Sequence, residues 1–105
     1  MADWKELQKR VYQNKLDHNF NVTDINLEFC YLYRETAEAH AAWRDNKPDL
    51  GEELADIAIY LLGLAEILGY DLEDEVVRKM EINRRRRYEK VEGGWRKYMV
   101  EDEKS

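Results

Sequence analysis

Residues 35–56 read ETAEAHAAWRDNKPDLGEELAD, and the spacing of their acids decides the fold. Glu35 and Glu38 stand three apart, and so do Glu53 and Asp56. Residues at that spacing share one face of an α-helix, so each pair projects together. Between the pairs, Asp45, Asn46, Lys47 and Pro48 are turn formers that end one helix before the next begins. Two helices joined this way and packed together aim four carboxylates at one point. Four such groups cannot all stay ionised side by side without a cation, so they either face water or hold a metal. Oxygen ligands at this density favour a hard ion, Mg2+ or Mn2+, over zinc.

Outward from this hairpin the chain reads as helix. Upstream, Thr23 or Asp24 caps a helix from about Ile25 to Arg44, its core side built from Leu27, Phe29, Tyr31, Leu32 and the alanines at 37, 39, 41 and 42. Glu35 and Glu38 sit among these small and apolar residues, unusual company for solvated acids. Before it, residues 3–17 form a first helix capped by Asp3, with Trp4, Leu7, Val11, Tyr12 and Leu16 as its apolar stripe and 18–22 as a loop. Downstream, Asp49 reads as the N-cap of a third helix, with Glu52 completing a capping box, which leaves Glu53 as the functional acid. That helix is apolar over most of its girth through Leu54, Ile57, Ala58, Leu61, Leu64, Ala65 and Leu68, and ends at Gly69. Asp71 caps a fourth helix, on which Lys79, Asn83 and Arg86 fall on one face. Residues 78–90 carry seven basic and two acidic side chains. Gly93-Gly94 breaks whatever helix remains, residues 95–100 are apolar enough to dock somewhere, and 101–105 fray. The expectation is an all-α, four-helix bundle-type domain over residues 1–92 with a C-terminal tail over 93–105 that is partly ordered or docks on a neighbouring protomer. A third helix with so few polar positions points to burial on several sides, hence to a homo-oligomer.

Bulk properties narrow the class. The chain has 105 residues, enough for one domain with a modest core, and a formal net charge of −6 that disfavours nucleic-acid binding. The one cysteine, Cys30, lies in the run Phe29–Leu32 and reads as a small core residue. No apolar N-terminal segment resembles a signal peptide and no run is long enough to span a membrane, so a cytoplasmic protein is expected. The chemistry of a di-iron bundle wants Glu-x-x-His, but His40 is two residues from Glu38. A P-loop is missing, as is any Ser-His-Asp arrangement. A basic face beside an acidic metal site suits a polyphosphate. Trp43 and Tyr60 are candidates to stack on a base, with core packing as the alternative role.

These features together resemble the all-α nucleoside triphosphate pyrophosphohydrolases, the MazG-like family, and most closely its dCTP pyrophosphatase-like branch. Three stretches carry the resemblance: RETAEAHAAW at 34–43, GEELADIAIYLL at 51–62 and KMEINRRRRY at 79–88. The resemblance implies that Glu35, Glu38, Glu53 and Asp56 bind Mg2+, with Mn2+ as a substitute. It implies that Glu35 or Glu38 activates water, and that Lys79, Asn83, Arg86, Arg87 and Tyr88 contact the substrate. The implied reaction is hydrolysis of an NTP or dNTP to the monophosphate and pyrophosphate, cleansing nucleotide pools, in a homodimer or homotetramer. Neither nucleic acid nor membrane is expected as a partner. One departure motivates a second reading: Arg34 stands where the family often has an acid. That alternative is a non-catalytic helical module of the same fold that binds nucleotide or a protein partner.

Overall fold

A computed structural model describes residues 3–100. Four helices come first: α1 (Trp4–Asp17), α2 (Ile25–Arg44), α3 (Leu50–Leu68) and α4 (Leu72–Arg84). An antiparallel pair of strands follows, β1 (Arg86–Val91) and β2 (Gly94–Met99). The chain divides between Leu72 and Glu73 into two compact units.

In the first unit α3 is the central element and packs against both α1 and α2. Local chemistry sets the helix starts as the sequence predicts. Asp3 accepts a hydrogen bond from the Glu6 backbone N–H at 2.7 Å, and Asp24 accepts one from Leu27 at 3.1 Å. Asn21 organises the loop between them. Its Oδ1 accepts from the backbone N–H of Asp24 at 3.0 Å, and its Nδ2 donates to the Asp24 carbonyl at 2.8 Å. Asp49 is different. It occupies the N-cap position of α3 but makes no side-chain cap, so the capping box expected with Glu52 does not form.

The interior is smaller and more polar than the apolar pattern predicts. Its buried apolar members are Ala39, Ala42, Leu62, Leu64 and Ala65, and its buried polar members are Gln8, Lys15, Glu28 and Glu35. On α1 the innermost positions are therefore Gln8 and Lys15, while Trp4 and Leu16 of the expected stripe are exposed. Polar groups are tolerated inside when their hydrogen bonds are met. Gln8 meets this condition by donating to the Tyr70 carbonyl at 2.7 Å and to Glu66 at 3.2 Å while accepting from the Leu72 N–H at 3.0 Å. It thus ties α1 to the corner after α3. On α2, Phe29, Ala37 and Cys30 of the expected core side face outward. Leu54, Leu61 and Leu68, spaced by seven along α3, are exposed as well.

The second unit corrects the all-α expectation. The helix stops at Arg84, so Arg86 lies on β1 and Lys79, Asn83 and Arg86 do not share one helical face. The pairing partner that draws the chain out of the helix is the segment beyond Gly93. The Val100 N–H donates to the Arg85 carbonyl at 2.7 Å, and Arg86 pairs with Met99 at the open end of the hairpin. Gly93, second of the two central turn residues, takes the left-handed φ of 89° that glycine accommodates without strain, so the glycine pair reverses a strand rather than ending a helix. A Glu89–Arg96 ion pair bridges the strands. The expectation for residues 101–105 lies outside the described residues.

Candidate functional site

The turn at 45–49 returns α3 along α2 and brings the acid pairs together. Glu35, Glu38 and Glu53 each place a carboxylate oxygen within 4.8 Å of the others, a spacing that one cation can bridge. Asp56, the fourth predicted acid, is not part of that trio. It lies near enough to repel Glu35 and Glu53 and lines a cavity of about 660 Å3 between α1 and α3. Glu52, the expected capping partner of Asp49, is exposed.

The acids are poorly satisfied. Glu35 is buried, and its carboxyl is pushed above the usual carboxylate range first by that burial and then by the negative charge of Glu38, with Arg34 opposing. Glu53 is pushed up too, by desolvation and then by Glu38, Asp49, Glu35 and Asp56. Its Oε2 is shielded from solvent with no hydrogen-bond partner, and the same is true of Asp49 Oδ1. A buried acceptor without a donor is costly in any fold. Converging acids with a shielded, unpartnered oxygen fit a hard divalent cation by geometry and by donor type. Asp49 joins this group unforeseen. Its spacing was the available signal, since it stands one helical turn before Glu53 on the face that carries Asp56 and Tyr60.

Arg34 holds the other edge of the cluster. Its guanidinium lies 3.4 Å from Glu35 and 3.9 Å from Glu38, and rests over the Tyr31 ring at 4.9 Å. Behind it lies a polar interior that the sequence did not announce. Lys15 Nζ reaches Glu28 Oε1 at 2.5 Å, with side-chain exposures of 7% and 1%, so the pair is secluded from water. Asn21 Nδ2 donates to Glu28 Oε2 at 3.2 Å, and Lys15 Nζ lies 5.0 Å from the centre of the Tyr60 ring. Gly63 makes this possible, because a Cβ there would lie 2.6 Å from Lys15 Cε. Tyr60 packs against Tyr31 with ring centres 5.7 Å apart and planes tilted by 51°, and burial raises its hydroxyl pKa.

The remaining predicted residues fall elsewhere. Trp43 is 64% exposed, stacks on His40, and lines an apolar cavity with Leu50, Leu54 and Ile57, apart from the cavities that Tyr60 lines. Lys79, Asn83, Arg86, Arg87 and Tyr88 lie in the second unit. There Arg86 donates to Asn83 Oδ1 at 3.2 Å, which keeps these two neighbours despite the end of the helix. Arg87 Nη1 donates to the carbonyls of Arg84 and Arg86 at 2.8 and 2.9 Å, while Lys79 and Tyr88 are exposed. Arg84 holds the Glu81 carboxyl below its usual range.

Comparison with known proteins agrees with this architecture. The MazG-like family matches residues 25–101. A dATP/dGTP diphosphohydrolase of Salmonella phage PMBT28 is 34% identical over 85 residues, which is 81% of this chain. The chain spans 28% of that relative's length. A MazG-like pyrophosphohydrolase of cyanophage S-2L, solved with dGDP and three catalytic Mn2+ ions per active site, superposes with a TM-score of 0.72 at 28% identity. The match covers 93% of this chain and 94% of that one.

Proposed function

The chain belongs to the MazG-like family, and from that premise we propose that it is a divalent-cation-dependent nucleoside triphosphate pyrophosphohydrolase. The observation that carries this reading is the convergence of Glu35, Glu38 and Glu53 within 4.8 Å, together with the shielded, unpartnered Oε2 of Glu53. Both compared proteins are named for nucleotide hydrolysis, and one holds Mn2+ beside a purine nucleotide.

Glu35, Glu38, Glu53 and Asp56 are the residues that would hold Mg2+ or, in its place, Mn2+. A bound divalent cation supplies neutralisation of the triphosphate charge and polarisation of the attacked phosphoryl group. In the proposed reaction water attacks the α-phosphorus. A new P–O bond forms, the bond from that phosphorus to the bridging oxygen breaks, and monophosphate and pyrophosphate leave. Glu35 or Glu38 takes the proton from water. Lys79, Asn83, Arg86, Arg87 and Tyr88 are proposed substrate contacts on the chemistry of their side chains, and Trp43 and Tyr60 on their aromatic surfaces.

Removal of free nucleotides from the cytoplasmic pool is the role we propose. No helix among the described residues is long and apolar enough to cross a membrane. Self-association is supported by the exposed line Leu54, Leu61 and Leu68, an apolar edge that a second copy would cover. Nucleic acid is a poor partner for a chain of net charge −6.

Incubation with an NTP and dNTP panel and Mg2+ or Mn2+, read as pyrophosphate release, tests the proposal. Product that disappears on adding chelator and in Glu53→Gln supports it; no product from any triphosphate refutes it. One observation favours the second reading, a nucleotide-binding or partner-binding module without turnover. Arg34 lies against both Glu35 and Glu38 and supplies them with a protein counter-charge. Calorimetric nucleotide binding without hydrolysis, unchanged by chelator, would identify that case.

A further inference from the structure

The acids account for a cation and leave open what holds the triphosphate itself. Resting on the pyrophosphohydrolase reading, we propose that one face of the C-terminal hairpin holds the substrate. Lys90, Trp95 and Lys97 belong to that face together with Arg86 and Tyr88, and Arg87 does not.

The strand register sorts the side chains. Directly opposed residues of an antiparallel pair lie on one side of it, and successive residues alternate sides. Arg86 opposes Met99, Tyr88 opposes Lys97 and Lys90 opposes Trp95, so these six share a face. Arg87 opposes Tyr98 and Glu89 opposes Arg96 on the other face. The basic run is thereby divided. On the second face Arg87 Nη1 is held by the carbonyls of Arg84 and Arg86, and Arg96 is paired with Glu89. The first face carries three cations and no acid. Lys90 and Lys97 are exposed, and among the described residues neither makes an ion pair or a side-chain hydrogen bond. Arg86 donates to Asn83 Oδ1 and keeps the rest of its fork. Tyr88 and Trp95 are 58% and 69% exposed, and among the described residues neither stacks on another ring.

The arrangement on that face is a checkerboard. Along β1 the order is Arg86, Tyr88, Lys90, and opposite it on β2 stand Met99, Lys97, Trp95. Every cation thus has an apolar or aromatic neighbour across the ladder and another along the strand. Diagonal neighbours are about 7–8 Å apart, a distance that long Lys and Arg side chains close onto one polyanion. Cations for the phosphates and open rings for the base are the two halves of a nucleotide site. The face is about 14 Å long at about 3.4 Å per residue, short against the several nucleotides that a single-strand platform covers. A net charge of −6 also opposes a long polyanion more than a short one. The occupant that fits is therefore one nucleoside triphosphate. Stacking accepts every base, so this face holds the substrate without choosing among bases.

The competing account is a basic surface that attracts any anion by its field alone. Lys97→Gln and Arg96→Gln separate the two, because they remove the same charge from adjacent residues on opposite faces. Calorimetry of the protein with dATP in chelator, where no cation supports turnover, reads binding at the hairpin. Lys97→Gln should weaken dATP about tenfold through a lost charged hydrogen bond, and Trp95→Ala about tenfold through a lost stack. Arg96→Gln should change it by less than about twofold, since Glu89 already balances that charge at the surface. Equal losses in Lys97→Gln and Arg96→Gln overturn the assignment. So does a native protein that binds no dATP in chelator. Tighter binding of a single-stranded oligo(dA) than of dATP assigns the face to nucleic acid and overturns it as well. Should Trp95→Ala lose the hairpin, the comparison of Lys97→Gln with Arg96→Gln decides alone, since both positions are exposed. Pyrophosphate release is measured separately with Mg2+. Its absence refutes the pyrophosphohydrolase reading and leaves the binding in chelator to judge the face.

Discussion

Lys15→Met removes one half of an ion pair that water scarcely reaches. The pair has side-chain exposures of 7% and 1%, so the surviving Glu28 carboxylate keeps only Asn21 as a donor and loses its counter-charge. Breaking a buried pair from one side costs about 3–5 kcal/mol, against about 0–1 kcal/mol for a pair at the surface. Total stabilities run about 5–15 kcal/mol, so the single variant gives up a large share. A domain of this size shifts by about 4–8 °C for each kcal/mol, which puts the fall in Tm at about 12 °C or more. The double variant Lys15→Met, Glu28→Met replaces both charges by apolar groups of similar length. It leaves Asn21 short of an acceptor, at about 1 kcal/mol, and should otherwise recover most of the loss. Urea titration and calorimetry of the native protein, both singles and the double give the coupling energy directly. A loss below about 1 kcal/mol in Lys15→Met would show that the pair behaves as a solvated one. A double variant as unstable as the sum of the singles would show that the two residues do not act on each other.

Three further outcomes follow from the same geometry. Gly63→Ala should cost about 1–3 kcal/mol by overpacking against Lys15, whose Cε would lie 2.6 Å from the new Cβ, and the cost should shrink in a Lys15→Ala background; equal costs in both refute the contact. Asp24→Ala should cost about 1 kcal/mol for its lost cap, whereas Asp49→Ala, which has no cap to lose, should be neutral or stabilising in chelator by urea titration. Because Glu35 and Glu53 are raised above an ordinary 4.5, the folded chain binds more protons than the unfolded one in the window above that value. Their contribution is therefore present near and below pH 4.5 and is lost as pH rises through the folded values. In chelator, Tm of the native protein relative to Glu53→Gln should fall as pH rises from 4.5 towards neutral, and Mn2+ should reverse the trend only in the native protein. A difference that stays flat with pH, or the same Mn2+ response in both, counts against the acids facing one another.

Much of this was legible in the sequence for identifiable reasons. The limits of α2 and the Asp24 cap follow from capping chemistry and a continuous helical pattern, both of them local. The acid trio follows from two i,i+3 pairs separated by a turn. What stayed hidden depends on partners distant in the chain. Lys15 and Gln8 were invisible because a hydrophobic pattern counts only apolar positions, and both are buried by bonds to residues at 28, 66, 70 and 72. The strands were missed because a basic run continues a helix well, and only the pairing register with residues 94–99 shows why the chain leaves it. Asp49 was misread because Asp before a helix is usually a cap.

The two buried acids of α2 show what distinguishes a site from its scaffold. Glu28 and Glu35 lie seven residues apart, on one line of the helix, and both are nine-tenths or more buried. Seclusion of a carboxylate therefore does not mark function by itself. Their surroundings differ in sign. Glu28 is met by an ammonium at 2.5 Å and an amide at 3.2 Å, and its charge is balanced. Glu35 has a distant guanidinium at 3.4 Å against three further acids, and burial holds its proton affinity up. A balanced pair with its oxygens already engaged needs no further ligand and serves to hold α1 to α2. An unbalanced cluster attracts positive charge, which suits a divalent cation. Arg34 sits between the two, sharing a cavity with the first and supplying counter-charge to the second. Replacing it by an acid would remove that counter-charge and deepen the negative cluster. Arg34→Glu should accordingly tighten Mn2+ binding in calorimetry, and unchanged or weaker binding would show that Arg34 does not compete with the cation for these acids.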